Sequence, residues 1–267
     1  MKKVLAIILV AILSLSLCAC NKATDEKTIV VGASTAPHAE ILRECKDYIE
    51  SKGYKLEIVE YADYVQPNIA LEDKSLDANY FQHEPYFTKF CSDHGYTDLV
   101  LATRVHFEPL GIYKGDKGTT LSALKAGDQI AVPDDETNCA RALQLLAANG
   151  VIEITNDKGL ATTVKDVDTK GFEIWQLSAE SIAARLPELA FAVINGNYAV
   201  DFGITDKLVA QEDKNSEAYT TYANIVACRK DNENSEKIKV LVEALKQDKI
   251  AKFITEKYNG AVVPFLG

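Results

Sequence analysis

Residues 28–61 read TIVVGASTAPHAEILRECKDYIESKGYKLEIVEY, and this stretch decides the architecture. Thr28–Val31 is a short β-branched run that stops at Gly32. From His38 to Ser51 the apolar residues Ala39, Ile41, Leu42, Cys45, Tyr48 and Ile49 recur at helical spacing, and Gly53 ends the segment. Leu56–Tyr61 then alternates as a strand does. A strand, a helix and a strand within so few residues form a parallel β-α-β unit.

The rhythm continues outward from that unit. Asp63–Leu71 is helical, Asp77–Tyr80 is a strand, Pro85–Cys91 opens a helix with proline near its first turn, and Leu99–Val105 is a strand. It restarts after Gly118. Leu121–Ala126 is a short helix, Gln129–Val132 a strand and Glu136–Asn149 a helix ended by Gly150. Phe172–Gln176, Ala179–Arg185 and Leu189–Ile194 supply strand, helix and strand. The β-run Tyr222–Cys228 precedes a long amphipathic helix over 234–258. Two α/β lobes follow, with the cleft between them as the place for a small ligand. Placing the chain crossings near Leu110–Lys114 and Thr220–Asn224 gives one lobe of residues 28–112 plus 225–267 and a second of 113–224.

The first residues address the protein. Met1-Lys2-Lys3 is basic and Val4–Leu17 is apolar apart from two serines. As a helix that run spans about 21 Å, short of a bilayer core of about 30 Å, so residues 1–19 read as a secretory leader. Leu17-Cys18-Ala19-Cys20 resembles the bacterial lipobox, which implies that Cys20 is lipidated and becomes the mature N-terminus. Residues 20–27 then form the lipidated cysteine and a polar tether, and the body is expected on the extracytoplasmic face of a membrane.

The net charge of −10 at pH 7 becomes −12 once Lys2 and Lys3 leave with the leader, and the acidic residues are scattered. This balance argues against nucleic acid as a partner and against a polybasic membrane contact. Cys45, Cys91, Cys139 and Cys228 lie far apart with no CxxC, so no metal site is expected and buried free thiols are. GxSxG, GxGxxG, P-loop and HExxH motifs are missing, so neither a cofactor nor an enzyme is expected.

Six segments taken in order resemble the methionine-binding lipoproteins of ABC importers, the NlpA lipoprotein family. They are YADYVQPN (61–68), LDANYFQH (76–83), HFEPLG (106–111), Val132-Pro133-Asp134 through Arg141-Ala142-Leu143, AVINGNYA (192–199) and YANI (222–225). The resemblance covers essentially the whole mature chain. It implies a type II periplasmic-binding-protein fold that closes over one amino acid and delivers it to a permease driven by a separate ATPase. By matching position it points to Tyr64, Phe81, His83, Arg141, Asn195 and Asn224 as ligand-binding residues, with less weight on Asn197 and Tyr198. It leaves a methionine-containing dipeptide or another apolar amino acid open as the ligand.

These residues also suit the task chemically. A guanidinium donates two parallel hydrogen bonds to a carboxylate, and Arg141 falls early in its expected helix, where amides and dipole can assist. Asn195 follows the apolar strand LAFAVI, and Asn224 sits inside a β-run that disfavours asparagine, so both are placed to offer amide oxygens to an α-ammonium. Tyr64 and Phe81 can wall a thioether, since sulfur–aromatic contacts add about 0.3–1.5 kcal/mol each. His83 either bonds the ligand or holds its loop. His38 and His106 are expected to be structural or rim residues, and His94 to lie at an exposed helix end.

Overall fold

The computed structural model describes residues 26–266; the leader, Cys20 and most of the tether lie outside them. The first lobe opens with β1 (Thr28–Ser34), a wide helical turn over Thr35–Ala39, α1 (Glu40–Glu44) and α2 (Lys46–Ser51). It continues through β2 (Lys55–Tyr61), α3 (Gln66–Glu72), β3 (Ala78–His83), α4 (Glu84–His94) and β4 (Leu99–Phe107). β1 pairs in parallel with both β2 and β3, as the β-α-β reading requires. Buried on both faces, β1 carries Ile29, Val31 and Ala33 into the core.

The chain then builds a second sheet from β5 (Gly111–Lys114), β6 (Gln129–Pro133), α5 (Glu136–Ala148), the short pair β7 (Glu153–Ile154) and β8 (Val167–Asp168), β9 (Glu173–Leu177), α6 (Ala179–Arg185), β10 (Phe191–Ile194), α7 (Gly196–Asp201) and β11 (Leu208–Gln211). After α8 (Ala218–Thr221) it returns with β12 (Ala223–Arg229), α9 (Glu236–Leu245), α10 (Asp248–Tyr258) and β13 (Val263–Pro264). The first sheet has the order β13-β4-β12-β3-β1-β2 and the second β11-β5-β10-β6-β9. The chain thus changes sheet between Phe107 and Gly111 and again between Gln211 and Ala223. Gly111 and Ile112 lie in the second sheet, and Ala223 and Asn224 in the first.

The helix expected over His38–Ser51 is a wide turn followed by α1 and α2, which meet at Cys45, and the one expected over 234–258 is also two. The apolar stripe of α9 runs through Ile238, Leu241 and Leu245, and that of α10 through Ile250, Ile254 and Tyr258. Leu245 to Ile250 is five residues, which turns the buried face by roughly 140° on a straight helix at 3.6 residues per turn. The helix breaks instead: Gln247 adopts an extended conformation (φ −67°, ψ 139°) and caps α10. Among the described residues no helix is long and apolar enough to cross a membrane.

Candidate functional site

The ends of β3, β4, β10 and β12 converge where the two sheets meet. A cavity there, of about 330 Å³, is lined by Tyr64, Phe81, His83, Arg141, Asn195 and Asn224 together with Gln82, Glu108, Asn138 and Asn197. All six residues expected to bind ligand therefore share one cavity. The four cysteines of the body are free thiols away from it.

The segments around 61–68 and 76–83 meet in a buried amide network. Asn68 Nδ2 donates to Gln82 Oε1 (2.8 Å), and Gln82 Nε2 donates to Asn68 Oδ1 (2.8 Å) and Asn79 Oδ1 (3.0 Å). Asn79 Nδ2 donates to Asn68 Oδ1 (2.8 Å) and the Pro67 carbonyl (3.1 Å). Buried carboxamides satisfied in this way fix one arrangement of the loop before α3. The loop presents Tyr64, whose ring lies 5.9 Å from Phe81, 5.7 Å from Tyr86 and 5.0 Å from Tyr198. These rings form an aromatic wall, and the Tyr64 hydroxyl reaches across to Asn197 Oδ1.

His83 caps α4. Its Nδ1 accepts the Tyr86 backbone N–H (3.1 Å), so the neutral ring carries its proton on Nε2, which donates to Asn138 Oδ1 (3.0 Å). Burial and the Arg141 charge hold its pKa down at about 3. Both ring nitrogens are engaged, so His83 fixes the cleft and offers a ligand its ring.

Asn224 stands opposite His83 on one side and His106 on the other in the strand register. Its Oδ1 accepts from His38 Nε2 (3.0 Å), which leaves the amide nitrogen as the group to face a ligand. The sequence suggested the reverse, because His38 gives no sign of lying beneath it. Asn195 Nδ2 donates to Asn138 Oδ1 (2.9 Å), and its buried Oδ1 has no hydrogen-bond partner among the described residues.

Arg141 sits in the middle of α5 rather than at its start, and the first-turn amide of Asn138 is taken by the Asp135 cap (2.9 Å). Helix amides therefore do not assist the guanidinium. It instead lies 4.1 Å over the Tyr222 ring, with Nε donating to Glu212 Oε1 (2.7 Å) and Nη2 to Glu212 Oε2 (2.5 Å) and the Glu108 carbonyl (3.0 Å). Glu212 is not signalled by sequence, since it stands in QEDKN, which reads as a solvated turn, and Tyr222 opens the YANI segment without any sign that it stacks on a guanidinium.

Glu108 was also missed, although an acid amid the apolar residues of HFEPLG is a visible anomaly. It leaves β4 into the first crossing and is buried beside two fully buried histidines, His106 Nε2 at 2.6 Å and His38 Nε2 at 3.5 Å from its Oε1. Tyr80 bonds the other nitrogen of His106. Burial holds the histidine pKa values down, at about 4 for His38 and about 3 for His106, and pushes that of Glu108 up. These two histidines are the ion-pair partners Glu108 has among the described residues, and both are neutral near pH 7. Gly196 is required here, because a Cβ on it would lie 2.8 Å from the Cβ of Glu108. The three groups could hold a metal ion, their donor atoms lying within 4.8 Å of one another. His106 has both ring nitrogens hydrogen-bonded, to Tyr80 and Glu108, whereas His38 is bonded through Nε2 and its buried Nδ1 has no partner among the described residues.

The site thus holds one guanidinium with one nitrogen lacking a hydrogen-bond partner among the described residues, one buried carboxylate lacking a permanent cation, two buried asparagine side chains and an aromatic wall. The family model for NlpA lipoproteins matches residues 29–266. The methionine-binding lipoprotein MetQ of Bacillus subtilis (strain 168) is 37% identical over 97% of this chain and 96% of its own. A lipoprotein structure from Ruminococcus gnavus aligns with TM-score 0.86 at 46% identity, over 90% of this chain and 99% of that one. A nutrient-binding protein from Burkholderia cenocepacia, its structure bound to methionine, aligns with TM-score 0.81 at 34% identity, over 88% and 99%.

Proposed function

The chain belongs to the NlpA lipoprotein family, and on that footing we propose that it captures L-methionine outside the cell and delivers it to an ABC importer. One observation carries the reading: the cavity is lined both by a buried carboxylate with no lysine or arginine in ion-pair contact among the described residues, Glu108, and by the Arg141 guanidinium, beside the rings of Tyr64 and Phe81. A zwitterionic amino acid with an apolar side chain supplies what each element lacks. Its ammonium meets Glu108 and the Asn195 oxygen. Its carboxylate takes the free Nη1 of Arg141 and the Asn224 amide, and its thioether lies on the rings.

Closure of the lobes shields these contacts from water. A ligand touching both lobes binds the closed state differentially and so draws the hinge shut. The closed form then docks on a permease with its ATPase. Cys20, outside the described residues, would tether the protein to the membrane face where that permease opens, so local concentration substitutes for tight docking. Nothing in the cavity arranges a nucleophile with a base, and the protein acts as a binding protein rather than an enzyme. A methionine-containing dipeptide or another apolar amino acid is the second reading, since the ammonium and carboxylate contacts suit any α-amino acid.

The test is titration of the chain from residue 21 onward, unfolded and refolded to strip carried-over ligand, with amino acids and methionine dipeptides. L-Methionine should bind more tightly than leucine or glutamine. No response to any amino acid overturns the proposal.

A further inference from the structure

The charges around the cavity are unequal at its two ends. Arg141 and Glu212 neutralise each other through two parallel hydrogen bonds, and both are largely out of solvent, at 3% and 11% exposure. Glu212 is locked in turn to the opposite crossing: its Oε2 accepts the Leu110 N–H (2.9 Å), and its own N–H donates to the Leu110 carbonyl (3.0 Å). Arg141 has only Nη1 without a protein hydrogen-bond partner among the described residues. A ligand carboxylate therefore arrives at a guanidinium whose charge is already matched. A ligand ammonium arrives at Glu108, which has no lysine or arginine within ion-pair range among the described residues.

We infer that Glu212 sets the ligand class of this cavity: by matching the charge of Arg141 it makes a free α-ammonium obligatory and a negative carboxyl end optional. This rests on the amino-acid reading above and deepens it. In a site shielded from water, an ion bound beside an uncompensated opposite charge gains far more than one bound beside a neutral pair. A primary amide has the shape of a carboxylate, and its carbonyl oxygen still accepts from Arg141 Nη1 and the Asn224 amide. The ligands are thus α-amino acids together with derivatives neutral at the carboxyl end. Deaminated acids fall outside the class. Glu212 touches no ligand; it is a positioning residue acting through Arg141.

The experiment is calorimetric titration of the purified protein and of its Glu212→Gln variant with three probes: L-methionine, L-methioninamide and 4-(methylthio)butanoate. In the unaltered protein the amide should bind within about thirtyfold of methionine, and the deaminated acid at least about a thousandfold more weakly. Glutamine keeps the length of Glu212 and its acceptor for Leu110 N–H but releases the charge of Arg141. The ratio of amide to methionine dissociation constants should therefore widen at least about tenfold in the variant. A merely structural role for Glu212 would weaken both ligands alike and leave the ratio unchanged, which overturns the inference. So does an unaltered protein that rejects the amide as strongly as the deaminated acid. In both of those cases methionine still binds and the parent reading stands, whereas failure of methionine to bind strikes that reading itself.

Discussion

His83 of the first lobe and Asn138 of the second are hydrogen-bonded across the cleft at 3.0 Å. Other bonds join the lobes beside this one. The Tyr198 hydroxyl donates to the Ala62 carbonyl at 3.0 Å, Tyr64 donates to Asn197, and Lys89 pairs with Glu136 at 3.1 Å. The exposed Lys89 pair contributes little. The buried imidazole is the member of this set that joins a helix cap to the opposite lobe.

The two jobs of His83 separate by substitution. His83→Ala removes the cap of α4 and the cross-lobe bond, so stability should fall by about 1 kcal/mol and methionine affinity by about tenfold. His83→Asn restores a good cap but is too short to reach Asn138. Its melting temperature should stay near the parent value while the affinity stays reduced. Equal recovery of both in the asparagine variant, measured by calorimetry and thermal melting, would show that the cross-lobe bond contributes nothing.

The parallel pairing of β1 with β2 and β3 was legible because these strands obey local rules, whereas the antiparallel pairing of β12 with β3 and β4 makes the sheet mixed rather than mostly parallel. Thr28–Val31 is β-branched and ends at a glycine, and the helix after it has one apolar face. The phase slip between Leu245 and Ile250 was written there too, as a change in the buried face, but a long amphipathic stretch masks it unless the angle is followed residue by residue. The site was legible only at residues whose neighbours are unusual, such as Asn224 in a strand. Glu212 and Tyr222 were hidden because their role comes from long-range closure: Glu212 is 71 residues from Arg141 in sequence, and nothing local distinguishes it from a solvated acid. The roles of His38 and Asn224 escaped for the same reason, since 186 residues separate the two.

Arg141→Ala should weaken methionine binding at least about a hundredfold, or about 2.7 kcal/mol. It does more than delete a donor, since Glu212 is left buried, unpaired and close to the incoming carboxylate. Removing one partner of a buried pair costs about 3–5 kcal/mol, so the same variant should melt markedly earlier. Arg141→Ala combined with Glu212→Ala removes both charges and should recover most of the stability and part of the affinity. Non-additivity in this cycle measures the pair; strictly additive losses would show that the two side chains act independently.

Glu108 makes capture depend on pH. Burial pushes its carboxyl pKa up, and an ammonium favours the ionised form, so binding releases a proton wherever the free protein holds one. Affinity should then weaken as pH falls through that raised value, by no more than about tenfold per unit. Titrations from pH 8 down to pH 5 in buffers of different ionisation enthalpy would show both the trend and the proton. Glu108→Gln should lose affinity at all pH values and flatten the dependence. A parent protein with a flat profile and no proton release would remove Glu108 as the partner of the ammonium.

Acid should unfold the protein through its buried histidines. Burial holds His38 at about 4 and His83 and His106 at about 3, against an ordinary value of 6.5. Below pH 6.5 the unfolded chain binds protons that the folded one refuses. The stability these groups contribute is thus fully present above 6.5 and is lost as pH falls toward 4 and 3. Each histidine can cost up to about 1.4 kcal/mol per pH unit in that window. Glu108, Asp135 and Asp201 act in the opposite sense, because their raised values favour the folded state as they protonate, while the lowered carboxyls of Asp166, Asp231 and Glu243 act with the three imidazoles. Urea midpoints measured from pH 7 to pH 4.5 should therefore drop steeply below pH 6. His106→Gln, which cannot titrate, should be less stable at pH 7, having lost bonds to Tyr80 and Glu108, yet show a shallower acid slope by one proton. A parent midpoint constant from pH 7 to pH 5 would mean that these imidazoles are open to solvent, contrary to the packing around Glu108.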